Sequence, residues 1–126
     1  MTNDNYATDE CIMELFESWF DPCPLDDEPK FDGLNIEWRD KTYVNPPYSK
    51  PLLWVNKAIQ ENKKGKTIVM LLRMDTSTEW FKRLQEANAK FLWINKRLKF
   101  RTGKPANFPS MLVILNKSEK SQEERR

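Results

Sequence analysis

The sequence predicts an α/β domain built on a mostly parallel sheet, with an antiparallel strand at its C-terminal end. Short β-prone runs alternate with amphipathic helical stretches, and the longest β-prone run is apolar almost throughout. The last two runs are joined by a loop without a helix, which makes the final strand antiparallel. The 126 residues suffice for a single domain with its own core. We expect that domain to cover residues 1–116, followed by a charged, flexible tail over 117–126.

The first predicted elements are a helix and a short strand. Thr8 can cap the helix, and an apolar stripe with helical spacing follows it, formed by Ile12, Leu15, Phe16 and Trp19. The segment Asp21-Pro22-Cys23-Pro24 ends this helix, and residues 24–40 are polar and loop-like. Residues 42–44 are β-prone, and two successive prolines end that strand because they supply no N–H groups.

The second half of the chain supplies the other elements. A helix is predicted from Pro51 to just before Gly65, with its apolar stripe at Leu52, Val55 and Ile59. Residues 67–72 form the strongest predicted strand. The segment Thr76-Ser77-Thr78-Glu79 has the pattern of a capping box before a helix with an apolar face. Strands are predicted over 91–94 and 111–115, around a basic loop. We place three tryptophans in the core: Trp54, Trp80 and Trp93.

The composition excludes several classes of site. Without histidine there is no Ser-His-Asp or Cys-His catalytic site and no histidine-ligated zinc. The two cysteines, Cys11 and Cys23, form no close pair, so neither a disulfide framework nor a Cys₄ zinc site is expected. Three glycines are too few for a glycine-rich phosphate loop. No apolar run is long enough to cross a membrane, so no membrane partner is expected.

The charge is unevenly distributed, although the net charge is only +2. Residues 1–49 hold 3 basic and 12 acidic side chains, and residues 50–105 hold 14 basic and 4 acidic ones. Such asymmetry indicates either two kinds of partner or two differently solvated surfaces.

The segment Asn45-Pro46-Pro47-Tyr48 lies where the acidic part ends. It resembles the Asn/Asp-Pro-Pro-aromatic motif of S-adenosylmethionine-dependent methyltransferases that modify a planar amine or amide nitrogen. The Asn45 side-chain oxygen and the Pro46 carbonyl can both accept hydrogen bonds from an NH₂ group, which localises the nitrogen lone pair. The prolines fix these acceptors in place, and Tyr48 offers a ring on which a flipped-out base can stack. The alternative is a purely structural turn after a strand.

The resemblance covers most of the chain, from Tyr6 to about Leu115. The chain is similar to the small phage-type DNA N6-adenine methyltransferases, with matching segments at Tyr6-Ala7-Thr8-Asp9, Phe20-Asp21-Pro22-Cys23, Asp32-Gly33-Leu34, Trp38, Arg97-Leu98-Lys99-Phe100 and Phe108-Pro109-Ser110. The resemblance implies a small, reduced Rossmann-like methyltransferase fold. It also implies S-adenosylmethionine as methyl donor without a metal, and adenine N6 in DNA as acceptor. The place of action it implies is the host-cell cytoplasm, as for a phage or mobile-element protein.

The resemblance also assigns the donor site. It implies that the residues contacting the donor are Tyr6, Thr8, Asp21, Pro22, Cys23 and Asp32. Asp21 can receive the donor's ammonium group, or it can be a simple turn residue. Asp32 can bind the adenosine portion, or it can belong to an Asp-Gly turn. Cys23 is interpreted mainly as a packing residue because nothing in the sequence lowers the pKa of its thiol. Arg73 and Asp75 stand where the family has a proline and an arginine.

Basic residues around an aromatic ring suit a nucleic-acid backbone and a splayed base. The predicted DNA contacts are Lys50, Lys96, Arg97, Lys99, Phe100, Arg101 and Lys104. A solvated loop is the alternative. Two other functions stay open at this point. One is methyl transfer to RNA adenine, to cytosine N4 or to a protein glutamine. The other is a non-catalytic nucleic-acid-binding module, which the short stretch between Cys23 and Asp32 and the missing glycines favour.

Overall fold

A computed structural model of the chain describes residues 14–23, 32–47, 49–94 and 109–117. These residues form an α/β arrangement of four strands and two helices. In chain order the elements are β1 (Lys41–Val44), α1 (Pro51–Lys63), β2 (Thr67–Arg73), α2 (Glu79–Glu86), β3 (Lys90–Trp93) and β4 (Ser110–Leu115). Each lies within a residue or two of its predicted position. Of the predicted tail at 117–126, residues 118–126 fall outside the described residues.

The four strands form one mixed sheet in the order β1-β2-β4-β3. β1 and β2 pair in parallel, with Val44 opposite Met70. β4 pairs antiparallel with β2 on one side and with β3 on the other. The prediction that β4 is antiparallel is confirmed, whereas only one of the three described strand pairings, that of β1 with β2, is parallel. The reason is that β4 lies between β2 and β3 and occupies the place that a second parallel pair would need.

Phe20 extends the sheet beyond β1. It forms an isolated parallel bridge with Thr42. Its N–H donates to the Lys41 carbonyl at 3.0 Å, and its carbonyl accepts from the Tyr43 N–H at 2.8 Å. Ile12, the first member of the predicted helical stripe before it, lies outside the described residues, and the rest of that stripe is only partly correct. Glu14 and Leu15 are helical, but the Leu15 side chain is 67% exposed. Phe16 packs on the sheet instead, with its ring stacked on that of Tyr43 at 4.8 Å.

The helix α1 begins and ends as predicted. Pro51 occupies its first turn, and Gly65 follows its end with a φ of +102°, a conformation that favours glycine. Val55 is fully buried on its inner face, as the apolar stripe predicts.

The helix α2 is capped by Thr78 and not by Thr76. The Thr78 hydroxyl accepts from the Phe81 N–H at 3.2 Å. Asp75 holds the preceding residues in a turn, because its carboxylate accepts from both the N–H and the hydroxyl of Ser77. The predicted capping box is therefore two residues out of register, and Glu79 pairs with Arg83 at 3.2 Å instead.

The core lies between the two helices and the sheet. Its fully buried members come from both central strands and both helices and include Ile68, Met70, Met111, Val113 and Leu84. Trp54 and Trp80 are buried as predicted, whereas Trp93 is 56% exposed because β3 is an outer strand of the sheet. Neither helix in the described ranges is long and apolar enough to span a lipid bilayer.

Candidate active site

The Asn-Pro-Pro segment lies at the carboxyl end of β1. Val44 is fully buried, Asn45 is exposed, Pro46 is buried and Pro47 is exposed. The Lys50 N–H donates to the Pro47 carbonyl at 3.3 Å, and α1 begins at the next residue. The segment is thus a tight connection between a parallel strand and its crossover helix, with the Asn45 side chain at the surface. Tyr48 lies outside the described residues.

A cavity borders this segment. Including the space open to solvent, its volume is about 290 Å³, and its lining residues are Pro46, Pro47, Pro51, Leu71, Leu72, Arg73 and Trp80. Its walls are apolar apart from Arg73, whose guanidinium lies 3.4 Å from the Asp75 carboxylate. Because β1 and β2 are parallel, their carboxyl ends reach the same edge of the sheet, and the prolines that follow β1 line this cavity together with the last residues of β2.

Asp21 directly follows the bridge at Phe20, next to β1. Its Oδ1 accepts from the Cys23 N–H at 2.9 Å, which closes a short turn. Burial raises the pKa of the Asp21 carboxyl more than this hydrogen bond lowers it. Burial and the nearby Asp21 charge raise the pKa of the Cys23 thiol, and Cys23 packs against the core. Cys23 therefore has the properties of a packing residue and not of a reactive thiolate.

Asp32 organises its own turn. One carboxylate oxygen accepts from the Leu34 N–H at 3.0 Å, and the other accepts from the Asn35 side-chain amide at 2.6 Å. The Asp32 carbonyl accepts from the Asn35 N–H at 2.9 Å. These contacts match the Asp-Gly turn interpretation. A donor contact by Asp32 stays a prediction.

Gly33 brings the two predicted donor-binding turns together. A Cβ placed on Gly33 would lie 1.9 Å from the Pro22 carbonyl oxygen and 2.9 Å from the Trp54 ring. Only glycine allows this close approach. The turn that begins at Asp21 and the turn that begins at Asp32 are therefore in direct contact, although residues 24–31 separate them along the chain.

Sequence reasoning missed the residues behind Gly33. The Trp38 indole N–H donates to the Gly33 carbonyl at 2.7 Å, and the Trp38 backbone N–H donates to Glu61 at 3.0 Å. The one available signal was the position of Trp38 just before β1, which gave no role for its side chain.

Several predicted site residues lie outside the described residues. These are Tyr6 and Thr8 of the predicted donor site and, in the basic loop, Lys96, Arg97, Lys99, Phe100, Arg101 and Lys104. Lys50 is described and exposed, two residues after Tyr48. Within the described ranges, no three His, Cys, Asp or Glu side chains are grouped so that they could hold a metal ion.

Comparison with known proteins shows what the chain is related to. Residues 5–125 match the family model described as DNA N-6-adenine-methyltransferase (Dam). A DNA N-6-adenine-methyltransferase of Haemophilus phage HP1 is 31% identical over 134 residues, which covers 88% of this chain and 78% of the relative. One of Escherichia phage T1 is 41% identical over 56 residues, which covers 44% of this chain and 24% of that relative. No solved structure matches significantly.

The family match spans nearly the whole chain, and it includes the Asn-Pro-Pro segment, both predicted donor-site turns and the basic loop. The chain therefore belongs to the family of DNA N-6-adenine-methyltransferases.

Proposed function

We propose that the protein transfers a methyl group from S-adenosylmethionine to N6 of a flipped adenine in DNA, at the sheet edge where Asn45, Pro46 and Pro47 follow β1. The observation that carries this proposal is the Asn-Pro-Pro turn at the carboxyl end of a parallel strand, beside a cavity, in a chain of this family. Strands β1, β2 and β3 run in the same direction, with antiparallel β4 between β2 and β3. This arrangement supports a reduced Rossmann-like methyltransferase fold.

The residues at Asp21 fit a cationic donor. When bound, S-adenosylmethionine supplies a methyl group on a positively charged sulfur, which is electrophilic toward a nitrogen lone pair. The Asp21 Oδ1 is engaged by the Cys23 N–H, and among the described residues Oδ2 has no hydrogen-bond donor. Burial raises the pKa of this carboxyl, so an ammonium group beside it stabilises its ionised form. Asp21, with Pro22 and Cys23 behind it, would hold the amino-acid end of the donor.

Asn45 and Pro46 would activate the acceptor nitrogen. The lone pair of an exocyclic amine is delocalised into its ring, so the amine is a weak nucleophile. Two acceptors, the Asn45 side-chain oxygen and the Pro46 carbonyl, hold both N–H groups and favour a tetrahedral nitrogen with its lone pair free. Their positions are fixed because β1 precedes them and α1 follows within a few residues. The surplus N–H proton is lost to solvent, so no histidine is needed.

The DNA would approach this edge of the sheet along the basic residues that follow the Asn-Pro-Pro segment in the chain. Lys50 is exposed next to the Asn-Pro-Pro segment and can contact a phosphate that flanks the target. The basic loop with Phe100 is proposed to follow the backbone, and Tyr48 to stack on the flipped base. Because the two curated relatives are phage proteins, we place this activity in the cytoplasm of the host cell.

An assay with methyl-labelled S-adenosylmethionine tests the proposal against its alternatives. The purified protein is given double-stranded DNA, RNA and a protein mixture in separate reactions. We expect label in DNA only. Label confined to RNA or protein would overturn the acceptor assignment. Donor binding that calorimetry cannot detect, with or without DNA, would support a non-catalytic nucleic-acid-binding module.

A further inference from the structure

Trp38 joins two parts of the molecule through its two N–H groups. Its side chain is buried, with 2% of the residue exposed. Its backbone N–H donates to Glu61 Oε1 in α1 at 3.0 Å, and its indole N–H donates to the Gly33 carbonyl at 2.7 Å. Trp38 therefore connects α1 with the turn that follows Asp32.

The end of this connection at Glu61 is firmly held. The Glu61 side chain is 1% exposed and accepts from three lysines, Lys57, Lys64 and Lys66. Lys66 also pairs with Glu37 at 3.2 Å, next to Trp38 in the chain. A buried carboxylate with this many partners has one well-defined position, so it fixes the Trp38 backbone relative to α1.

The other end of the connection reaches the predicted donor site. Gly33 is packed between Pro22 and Trp54, with no space for even a Cβ. The rings of Trp38 and Trp54 stack at 6.3 Å with an angle of 24° between them. Pro22 lies between Asp21 and Cys23 in the chain, and the Asp21 carboxylate accepts a hydrogen bond from the Cys23 N–H. We therefore expect a shift of Gly33 against Pro22 to displace the whole turn that carries the Asp21 carboxylate.

We propose that Trp38 is a positioning residue for the methyl donor, acting through Gly33 and Pro22 to set the direction of the Asp21 carboxylate. This inference rests on the proposed function, since it takes Asp21 as the group that holds the donor. Trp38 lies behind Gly33 and contacts no reacting atom in this account. Its loss weakens donor binding and leaves the acceptor chemistry at Asn45 intact.

The variant Trp38→Phe tests this proposal because it removes the indole N–H and keeps an aromatic ring. We expect its KM for S-adenosylmethionine to rise about tenfold, with kcat and the KM for DNA within about twofold of wild type. A raised KM with unchanged kcat indicates lost ground-state binding. Calorimetry should show the same loss of donor affinity. The control is Leu84→Ala, which removes a fully buried side chain from α2 and lowers stability without touching the connection.

A double-mutant cycle with Asp21→Asn identifies the route of the effect. If Trp38 acts through Asp21, then Trp38→Phe costs little further donor affinity in the Asp21→Asn background. A tryptophan analogue with sulfur in place of the indole N–H, introduced at position 38, preserves the ring volume in case Trp38→Phe folds poorly. It should show the same donor-specific loss.

Two results would overturn the inference and are distinguishable from each other. If Trp38→Phe and Leu84→Ala changed KM and kcat to the same extent, Trp38 would be a structural residue only. The same would follow if the losses of donor affinity caused by Trp38→Phe and Asp21→Asn were fully additive. In both cases the proposed function would stay intact. A wild-type protein that neither binds S-adenosylmethionine nor methylates DNA would remove the proposed function and this inference with it.

Discussion

The carboxylate of Glu61 and the ammonium group of Lys66 form an ion pair inside the protein, with 1% and 7% of their side chains exposed. Burial by itself raises the pKa of Glu61, but hydrogen bonds from Lys66, Lys57, Lys64 and the Trp38 N–H outweigh it and lower the pKa to about 2. Burial lowers the pKa of Lys66, but its hydrogen bonds and its attraction to Glu61 and Glu37 raise it overall. Both groups are therefore charged at neutral pH.

This pair predicts a specific loss of stability in acid. Because the pKa of Glu61 is about 2 in the folded protein and 4.5 ordinarily, its contribution is fully present above about pH 4.5. It is lost as the pH falls toward 2, and it amounts to about 3 kcal/mol. We expect the free energy of unfolding, measured by urea titration, to fall over this range.

The variant Glu61→Gln should have a free energy of unfolding at pH 7 that is lower by on the order of 3 kcal/mol. The reason is that it leaves the Lys66 charge buried without the Glu61 carboxylate as its partner. Its free energy of unfolding should show less pH dependence between pH 4.5 and 2 than that of wild type. Glu79→Gln is the matched control, because Glu79 is 56% exposed in its pair with Arg83 and such pairs contribute little. An equal acid response in wild type and Glu61→Gln would refute this assignment.

The capping of α2 gives a second prediction. Thr78→Ala removes the hydroxyl that accepts from the Phe81 N–H and should lower the free energy of unfolding by about 1 kcal/mol. Thr76→Ala should change it by less than about 0.5 kcal/mol, because Thr76 is an exposed turn residue. Denaturant titration of both variants distinguishes the two. If Thr76→Ala lowered the free energy of unfolding more than Thr78→Ala, Thr76 would be the cap, as the sequence predicts.

Asn45 gives a prediction about chemistry alone. Its side chain is exposed, so Asn45→Ala should leave stability unchanged. It should lower kcat by about 10²–10³-fold or more, because one of the two acceptors for the amine is lost. Affinities for DNA and S-adenosylmethionine, measured by fluorescence anisotropy and calorimetry, should stay within a few-fold. A variant that keeps wild-type kcat would exclude the role proposed for Asn45.

The basic loop gives a prediction about DNA binding. Changing Lys99 and Arg101 to Ala should weaken DNA binding, because each residue is predicted to neutralise a phosphate. The slope of log K against log salt concentration should decrease by about 2 for the double variant. Lys117→Ala, an exposed lysine after β4, serves as a control. An unchanged slope would favour a solvated loop with no DNA contact.

The elements that sequence reasoning located well are those with local signals. The apolar run of β2 predicts a strand buried on both faces, and Pro51 and Gly65 predict the two ends of α1. The Asn-Pro-Pro segment was predicted at the end of a strand and lies there. Each of these signals depends on residues close together in the chain.

The features that sequence reasoning missed depend on distant contacts. The place of β4 between β2 and β3 is a choice of partner that no local pattern encodes. The exposure of Trp93 follows from the outer position of β3. The contact between Trp38 and Glu61 spans 23 residues, and the packing of Gly33 against Pro22 exists only in the folded chain. The cap of α2 lies at Thr78 and not at Thr76 because the Asp75 carboxylate accepts from the Ser77 N–H and holds the residues before Thr78 in a turn.

Nucleoside mass spectrometry of DNA incubated with the purified protein and S-adenosylmethionine tests the proposed methyl transfer most directly. We expect N6-methyladenine with wild type and at least about a hundredfold less with Asn45→Ala, while both proteins bind DNA equally. Methylation found only as N4-methylcytosine, or N6-methyladenine formed equally by Asn45→Ala, would contradict it.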